Sequence, residues 1–253
     1  MAQGLPRSSR VSSKKTTTNK LKTIGIIVAM DKEFAQLKTL LDHTRVEQHH
    51  YKDFVIGELG ATQLILLQCG IGKVNAAVGA VELIDHYHPE LVISTGVAGG
   101  ADATLSPLDV VVAEACTYHD AYCGQEVAYG QIMGLPARYE SPADLVAKAL
   151  TLPAEGGAQV RSGLTVTGEW FVDSKEKMRD ILTHFPEAAA VDMESCAIAQ
   201  VCHLYHTPFI SFRIISDVPL KDDKAAQYYD FWNRMAEGSF EMTRRFLQQL
   251  VES

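Results

Sequence analysis

The chain has 253 residues, 47% of them hydrophobic and 21% charged, a composition that excludes wholesale disorder and permits a large core without disulfides or metals. Its net charge of −8 opposes a polyanion, so nucleic acid is not expected as a partner. No run of eighteen apolar residues occurs, and no membrane span is expected.

The charge is unevenly spread. Residues 1–20 hold Arg7, Arg10, Lys14, Lys15 and Lys20 and no acid, which leaves −13 for the rest. This Ser/Thr-rich stretch has too little apolar surface to offset its ordering entropy. Residues 1–21 are therefore expected to form a disordered basic tail and 22–253 a single domain. The five cysteines are scattered and never spaced C-x-x-C, which suits reduced thiols in a cytoplasm. His203 and His206 lack the H-E-x-x-H context, so no metal is expected.

The first element is Thr23–Met30, an apolar run expected to be a strand buried on both faces. A helical pattern follows through Phe34, Leu37, Leu40 and Leu41. Residues 51–59 and 62–68 read as a hairpin turning near Gly60. Gly70-Ile-Gly72 then opens a helix that runs to about Tyr87, with Pro89 beyond its end. Strands are expected at 90–96 and 109–114, then an irregular, aromatic-rich segment at 116–142. A loop that long is usually functional or part of an interface. The second half reads as helix 142–150, strand 160–167, helix 175–184, strand 188–193, helix 194–205 and strand 209–217. A polar loop begins at Pro219, and an amphipathic helix spans about 230–251. Alternating strands and helices give an α/β fold, one domain with a central mixed, partly parallel twisted sheet flanked by helices.

Ligands of such sheets collect beyond the carboxyl ends of the strands. Those positions hold Met30 and Glu33, Gly70-Ile71-Gly72, Gly96–Gly100, Asp192-Met193-Glu194 and Ser216-Asp217. Acids from three strands on one rim suit acid/base work at a glycosyl bond. Taken singly, each acid is more often a helix cap or a solvated charge, and for each glycine a tight turn is as good a reading. No G-x-G-x-x-G follows the first strand and no G-x-x-x-x-G-K-[ST] occurs, which disfavours a nicotinamide cofactor and a nucleoside triphosphatase. No cofactor is expected.

Seven segments together resemble the 5′-methylthioadenosine/S-adenosylhomocysteine nucleosidases of the nucleoside phosphorylase superfamily. They are Ile24–Met30 with Glu33, Gly70–Ala77, Ser94–Gly100, Tyr118-His-Asp120, Tyr129-Gly-Gln131, Val191-Asp-Met-Glu194 with Ala197–Ala199, and Arg213–Asp217. The resemblance implies hydrolysis of an adenine thionucleoside to adenine and a thioribose, with an adenine nucleoside as the small-molecule partner. It implies that Glu33 activates water and that Asp217, supported by Ser216, protonates N7 of adenine. It gives Glu194 the ribose hydroxyls with Met193 beside the sugar, Arg213 the ordering of the water site and Glu194, Phe171 the stacking on the base, and the Val172 backbone the base edge. Met30, Ile71 and Gly99 would line the pocket.

The resemblance also implies a homodimer whose 121–136 loop reaches the partner's site, with Cys123, Met133 and Pro136 as candidate contacts. Two departures stand out: Val97 where relatives carry Ser, and Asp192 where they carry Glu. Either Tyr228 or Tyr229 would close over the substrate. Glu194, at a helix N-terminus, is expected to favour its ionised form. A phosphorylase or futalosine-type hydrolase is the near alternative, and a non-catalytic nucleoside-binding protein the distant one. The carboxylates argue against the last.

Overall fold

A computed structural model describes residues 21–153, 158–222, 227–228, 230–231 and 241–252. Residues 1–20 of the expected tail lie outside them. Leu21, the last residue assigned to that tail, packs against the core.

The strands are β1 (Thr23–Val28), β2 (Asp42–His49), β3 (Lys52–Leu59), β4 (Thr62–Gln68), β5 (Leu91–Gly100), β6 (Val110–Tyr118), β7 (Tyr139–Glu140), β8 (Val160–Thr167), β9 (Ala188–Asp192) and β10 (Phe209–Asp217). The helices are α1 (Asp31–Lys38), α2 (Lys73–Tyr87), α3 (Ala143–Leu150), α4 (Lys175–His184), α5 (Ser195–Leu204) and α6 (Glu241–Glu252). Of the final helix expected over 230–251, residues 232–240 lie outside the described ones.

One mixed sheet runs β10-β6-β8-β9-β5-β1-β4-β3-β2, and β10 also pairs with β5. Those pairings close β5, β10, β6, β8 and β9 into a ring, with β1, β4, β3 and β2 as an arm. Helices cover both faces. Strand alternation sends Ile24, Ile26, Val28, Leu64 and Leu66 into a core with Leu37 of α1, Val146 of α3 and Phe246 of α6. Ile27, Ile65 and Leu67 face the other way, against Ala80 and Leu83 of α2 and Cys196 and Ile198 of α5. Burial on both faces explains why these strands read as unbroken apolar runs.

Three elements differ from expectation. Asp42–His49 is a strand, not a connection: it is a mostly exposed, polar edge strand paired, among the described residues, only to β3, so it carries no apolar signal. The segment 116–142 is less irregular than expected, because β6 continues to Tyr118 and Tyr139–Glu140 pairs with it. Helix α2 begins at Lys73, because Gly70 and Gly72 take φ values of 90° and 95°, which end the turn rather than start the helix.

The sheet's directions locate the site. Strands β1, β4 and β10 run parallel to β5, whereas β9, with β8 parallel to it, runs against β5. β5 and β9 pair only through Gly99–Val191 and Gly100–Ala190. Two opposed strand sets therefore touch at their carboxyl tips, rather than sharing the single rim expected from sequence.

Candidate active site

A pocket of about 720 Å³, including its open mouth, lies at that junction. All eleven residues singled out from the sequence line it: Met30, Glu33, Ile71, Gly99, Phe171, Val172, Met193, Glu194, Arg213, Ser216 and Asp217. The lining also takes in Ala29, Val97, Ala98, Trp170, Val191, Asp192 and Tyr228.

Glu33 sits in the first turn of α1, 1% exposed. Its Oε2 accepts N–H bonds from Ala29 (3.1 Å) and Met30 (3.0 Å), and its Oε1 accepts one from Val97 (3.0 Å). Three amides from two strand ends thus fix one carboxylate. Burial raises its pKa, against the opposing pull of Arg213 and these amides. At Val97 the main chain supplies the polar contact, so the apolar side chain does not leave Glu33 unsupported.

Glu194 stands at the N-cap position of α5, as expected, but its side chain does not cap that helix. Its Oε1 instead accepts from the Gly72 amide at the start of α2 (2.9 Å). Burial pushes its pKa up to about 7, with Arg213 pulling down and Asp192 pushing up. Desolvation thus works against the helix terminus, which favours the ionised form, and brings the carboxyl into the neutral range.

Arg213, on β10, is 1% exposed. Its Nε meets Asp192 Oδ2 at 2.8 Å and donates to Ser195 Oγ at 3.0 Å, and its Nη2 donates to Ser94 Oγ at 2.7 Å. Asp192 Oδ1 further accepts from Thr167 Oγ1 at 2.6 Å and from the Glu194 amide at 3.3 Å. The sequence places Asp192 among the strand-end acids and marks it as a departure from the family pattern, but assigns it no role. Its place two residues before Glu194, at a strand end, was the available signal.

Asp217 is 4% exposed and accepts a bond from Ser216 Oγ at 2.7 Å. In the same lining, Phe171 is 56% exposed and meets the Tyr228 ring edge-on, with centroids 6.0 Å apart. Val172 is buried behind it. Of the two candidate tyrosines, Tyr228 lines the pocket, and Tyr229 lies outside the described residues. Trp170, which sequence reading missed, forms part of the same wall. Cys123, Met133 and Pro136 are not among the residues lining this pocket.

A pocket lined by both carboxylates and aromatic rings suits a sugar joined to a flat base. The sequence model described as the phosphorylase superfamily matches residues 23–248. A 5′-methylthioadenosine/S-adenosylhomocysteine nucleosidase of Staphylococcus epidermidis is 38% identical over 232 residues, covering 90% of this chain and 100% of that protein. The chain belongs to this nucleosidase family of the phosphorylase superfamily. A solved structure of the family's Colwellia psychrerythraea member, in complex with adenine, has a TM-score of 0.84 at 33% identity, covering 91% of this chain and 96% of that one. A futalosine hydrolase of Helicobacter pylori shares the fold at 26% identity, with a TM-score of 0.80, covering 91% of this chain and 97% of that one.

Proposed function

We propose that the protein hydrolyses the N-glycosidic bond of 5′-methylthioadenosine and S-adenosylhomocysteine, releasing adenine and the thioribose. The observation that carries this reading is the charge of the pocket wall. Among the described residues lining it, Glu33, Asp192, Glu194 and Asp217 face one cationic side chain, Arg213, already engaged by Asp192, Ser94 and Ser195. A phosphorylase needs cations and donors to hold a phosphate beside the sugar. The amides of Ala29, Met30 and Val97 already donate to Glu33. Phosphate would meet carboxylate here, and water is the nucleophile.

Glu33, made more basic by burial, takes a proton from water as its oxygen attacks the anomeric carbon. Positive charge grows on the sugar ring, and the carboxylate of Glu194, which also accepts the ribose hydroxyls, stabilises it. Asp217, held by Ser216, gives a proton to N7, so adenine leaves neutral. Phe171 stacks on the base, the Val172 backbone reads its edge, and Met193 packs beside the sugar. Met30, Ile71 and Gly99 enclose the substrate, while Arg213 limits repulsion among the acids. The products are those of water added across one C–N bond. Such a reaction serves methionine salvage.

The reading includes a homodimer. Val74 is 72% exposed, and a groove beside it is lined by Ala77, Tyr118, Ala121, Ile132 and Val201. Covering that apolar face with a second copy would carry the 121–136 loop, with Cys123, Met133 and Pro136, toward the partner's pocket. Five free cysteines support a reducing, cytoplasmic setting.

The test is adenine release from methylthioadenosine in phosphate-free buffer. Release at the same rate with and without phosphate is expected, and strict phosphate dependence would overturn the reading. Futalosine, offered in parallel, separates the two kinds of hydrolase, and sedimentation tests the dimer.

A further inference from the structure

We infer that Asp120 is a positioning residue for the reaction: it clasps the start of α2 to the 168–172 loop and so holds the Gly72 amide on Glu194 and the base-facing wall over the pocket. The inference rests on the hydrolase reading above for what Glu194 and Phe171 do, but its geometry is independent of that reading.

Asp120 lies two residues beyond β6. Its Oδ1 and Oδ2 accept from Lys73 Nζ at 2.8 and 2.7 Å, and Oδ2 also accepts from the Glu169 amide at 2.8 Å. Glu169 returns across the same gap, its Oε2 accepting from the Lys73 amide at 2.9 Å. The preceding amide, Gly72, donates to Glu194. Two successive N–H groups at one helix start therefore serve two carboxylates from distant segments, one at the sugar and one on the base loop.

The local chemistry requires such a clasp. Lys73 opens α2, and the first turn holds no acidic residue. A cation there opposes the helix dipole. Asp120 and Glu169 supply the missing negative charge. The Asp120 side chain is only 9% exposed, so water screens this pair less than an ordinary surface bridge. The fit is close: a Cβ on Gly72 would lie 2.5 Å from Glu169 Oε1. The residues on either side of Glu169 are seated on the neighbour of Asp120. A Cβ on Gly168 would lie 2.2 Å from the buried ring of His119, and Trp170 packs against that ring with centroids 5.3 Å apart.

Loosening Asp120 therefore releases both walls at once. Glu194 also faces Arg213 from β10, Asp192 from β9, Glu33 from α1 and Cys69 after β4. The Gly72 amide is the neutral donor in that set that favours the charged carboxylate. Without it, Glu194 ionises at higher pH.

The experiment compares D120N and E169Q with the parent for adenine release across pH, and separately for adenine binding by calorimetry. D120N is expected to raise KM about tenfold, with a smaller change in kcat, and to move the acid limb of kcat/KM to higher pH. E169Q moves both in the same direction by less. A purely structural role would lower the melting temperature and leave the pH limb in place. Folded D120N with KM and pH limb within about twofold of the parent overturns the inference. If D120N does not fold, E169Q decides by the same criteria, since Glu169 is exposed. If the parent releases no adenine, the hydrolase reading has failed. The calorimetric comparison then decides the clasp alone: adenine bound about tenfold more weakly by D120N supports it, and equal binding overturns it.

Discussion

Arg213 Nε lies 2.8 Å from Asp192 Oδ2, and the two side chains are 2% and 1% exposed. A pair so buried gains little over an apolar replacement, but removing one partner alone strands the other charge. Here the stranded group would be Asp192, with Glu33 and Glu194 close by. Arg213→Met is therefore expected to cost about 3–5 kcal/mol. That is a large share of an ordinary domain's stability. Arg213→Lys keeps the charge but loses the fork that reaches Ser94 and Ser195, so its cost should be smaller. Urea denaturation measures both. An unchanged midpoint for Arg213→Met would show that the pair does not hold the junction together.

In the proposed reaction, Asp217→Asn separates proton donation from binding. The amide keeps the size and polarity of the side chain but cannot act as the acid at N7. Turnover of methylthioadenosine is expected to fall by at least about 10²-fold. Adenine affinity by calorimetry should stay within a few-fold. Ser216→Ala, which removes the 2.7 Å bond to Asp217, should lower kcat more mildly. Near-parental turnover in Asp217→Asn would assign the acid elsewhere.

The legible and illegible parts of this chain follow from the range of the interactions. β1, β4 and β10 were readable because burial on both faces leaves unbroken apolar runs. β2 was not, because an exposed edge strand such as Asp42–His49 needs no apolar pattern. The site's contributors could be found at strand ends, since the chain must turn there, and the family resemblance selected among them. Their pairing could not. Arg213 is 21 residues from Asp192, Gly72 is 122 from Glu194, and no periodicity links them. The electrostatic outcome was hidden for the same reason. A helix terminus can be read locally, whereas the burial that raises the Glu194 pKa is a property of the closed sheet.

That raised pKa sets a pH dependence with a definite sign. Glu194 is pushed up to about 7 by burial. In the proposed reaction its ionised form stabilises charge on the sugar, so kcat/KM should fall as pH drops below about 7. Glu194→Gln should lose much of the activity and move that limb to the one set by Glu33, the proposed base, whose pKa burial also raises. Stability runs the opposite way. The folded pKa exceeds the unfolded one, so native protein binds more protons between them. The contribution is complete below the unfolded value and lost as pH rises through about 7. Melting temperatures from pH 5 to pH 8 should therefore shift in favour of Glu194→Gln over the parent. A gap between the two that stays constant with pH would mean that Glu194 does not titrate in this range.

Gly96→Ala tests how tightly the junction is built. Gly96 has φ of 149°, and a Cβ there would lie 2.6 Å from Glu33 Oε1 and 2.8 Å from Arg213 Nη1. Neither neighbour can yield cheaply. Glu33 is held by three amides, and Arg213 by Asp192, Ser94 and Ser195. The substitution must therefore displace Glu33, the carboxylate proposed to activate water, or its counter-charge, as well as strain the backbone. A misplacement of about 1 Å can cost about 10²-fold in rate, and that loss of turnover is expected here. Gly134 is the comparison for strain without a clash inside the protomer: its φ is 81°, with no described residue within 4 Å of an added Cβ. Gly134→Ala should cost about 1–2 kcal/mol in urea denaturation, and Gly96→Ala clearly more. If the two variants lose equal stability, Gly96 is there for its backbone angle and not for the room it leaves Glu33 and Arg213.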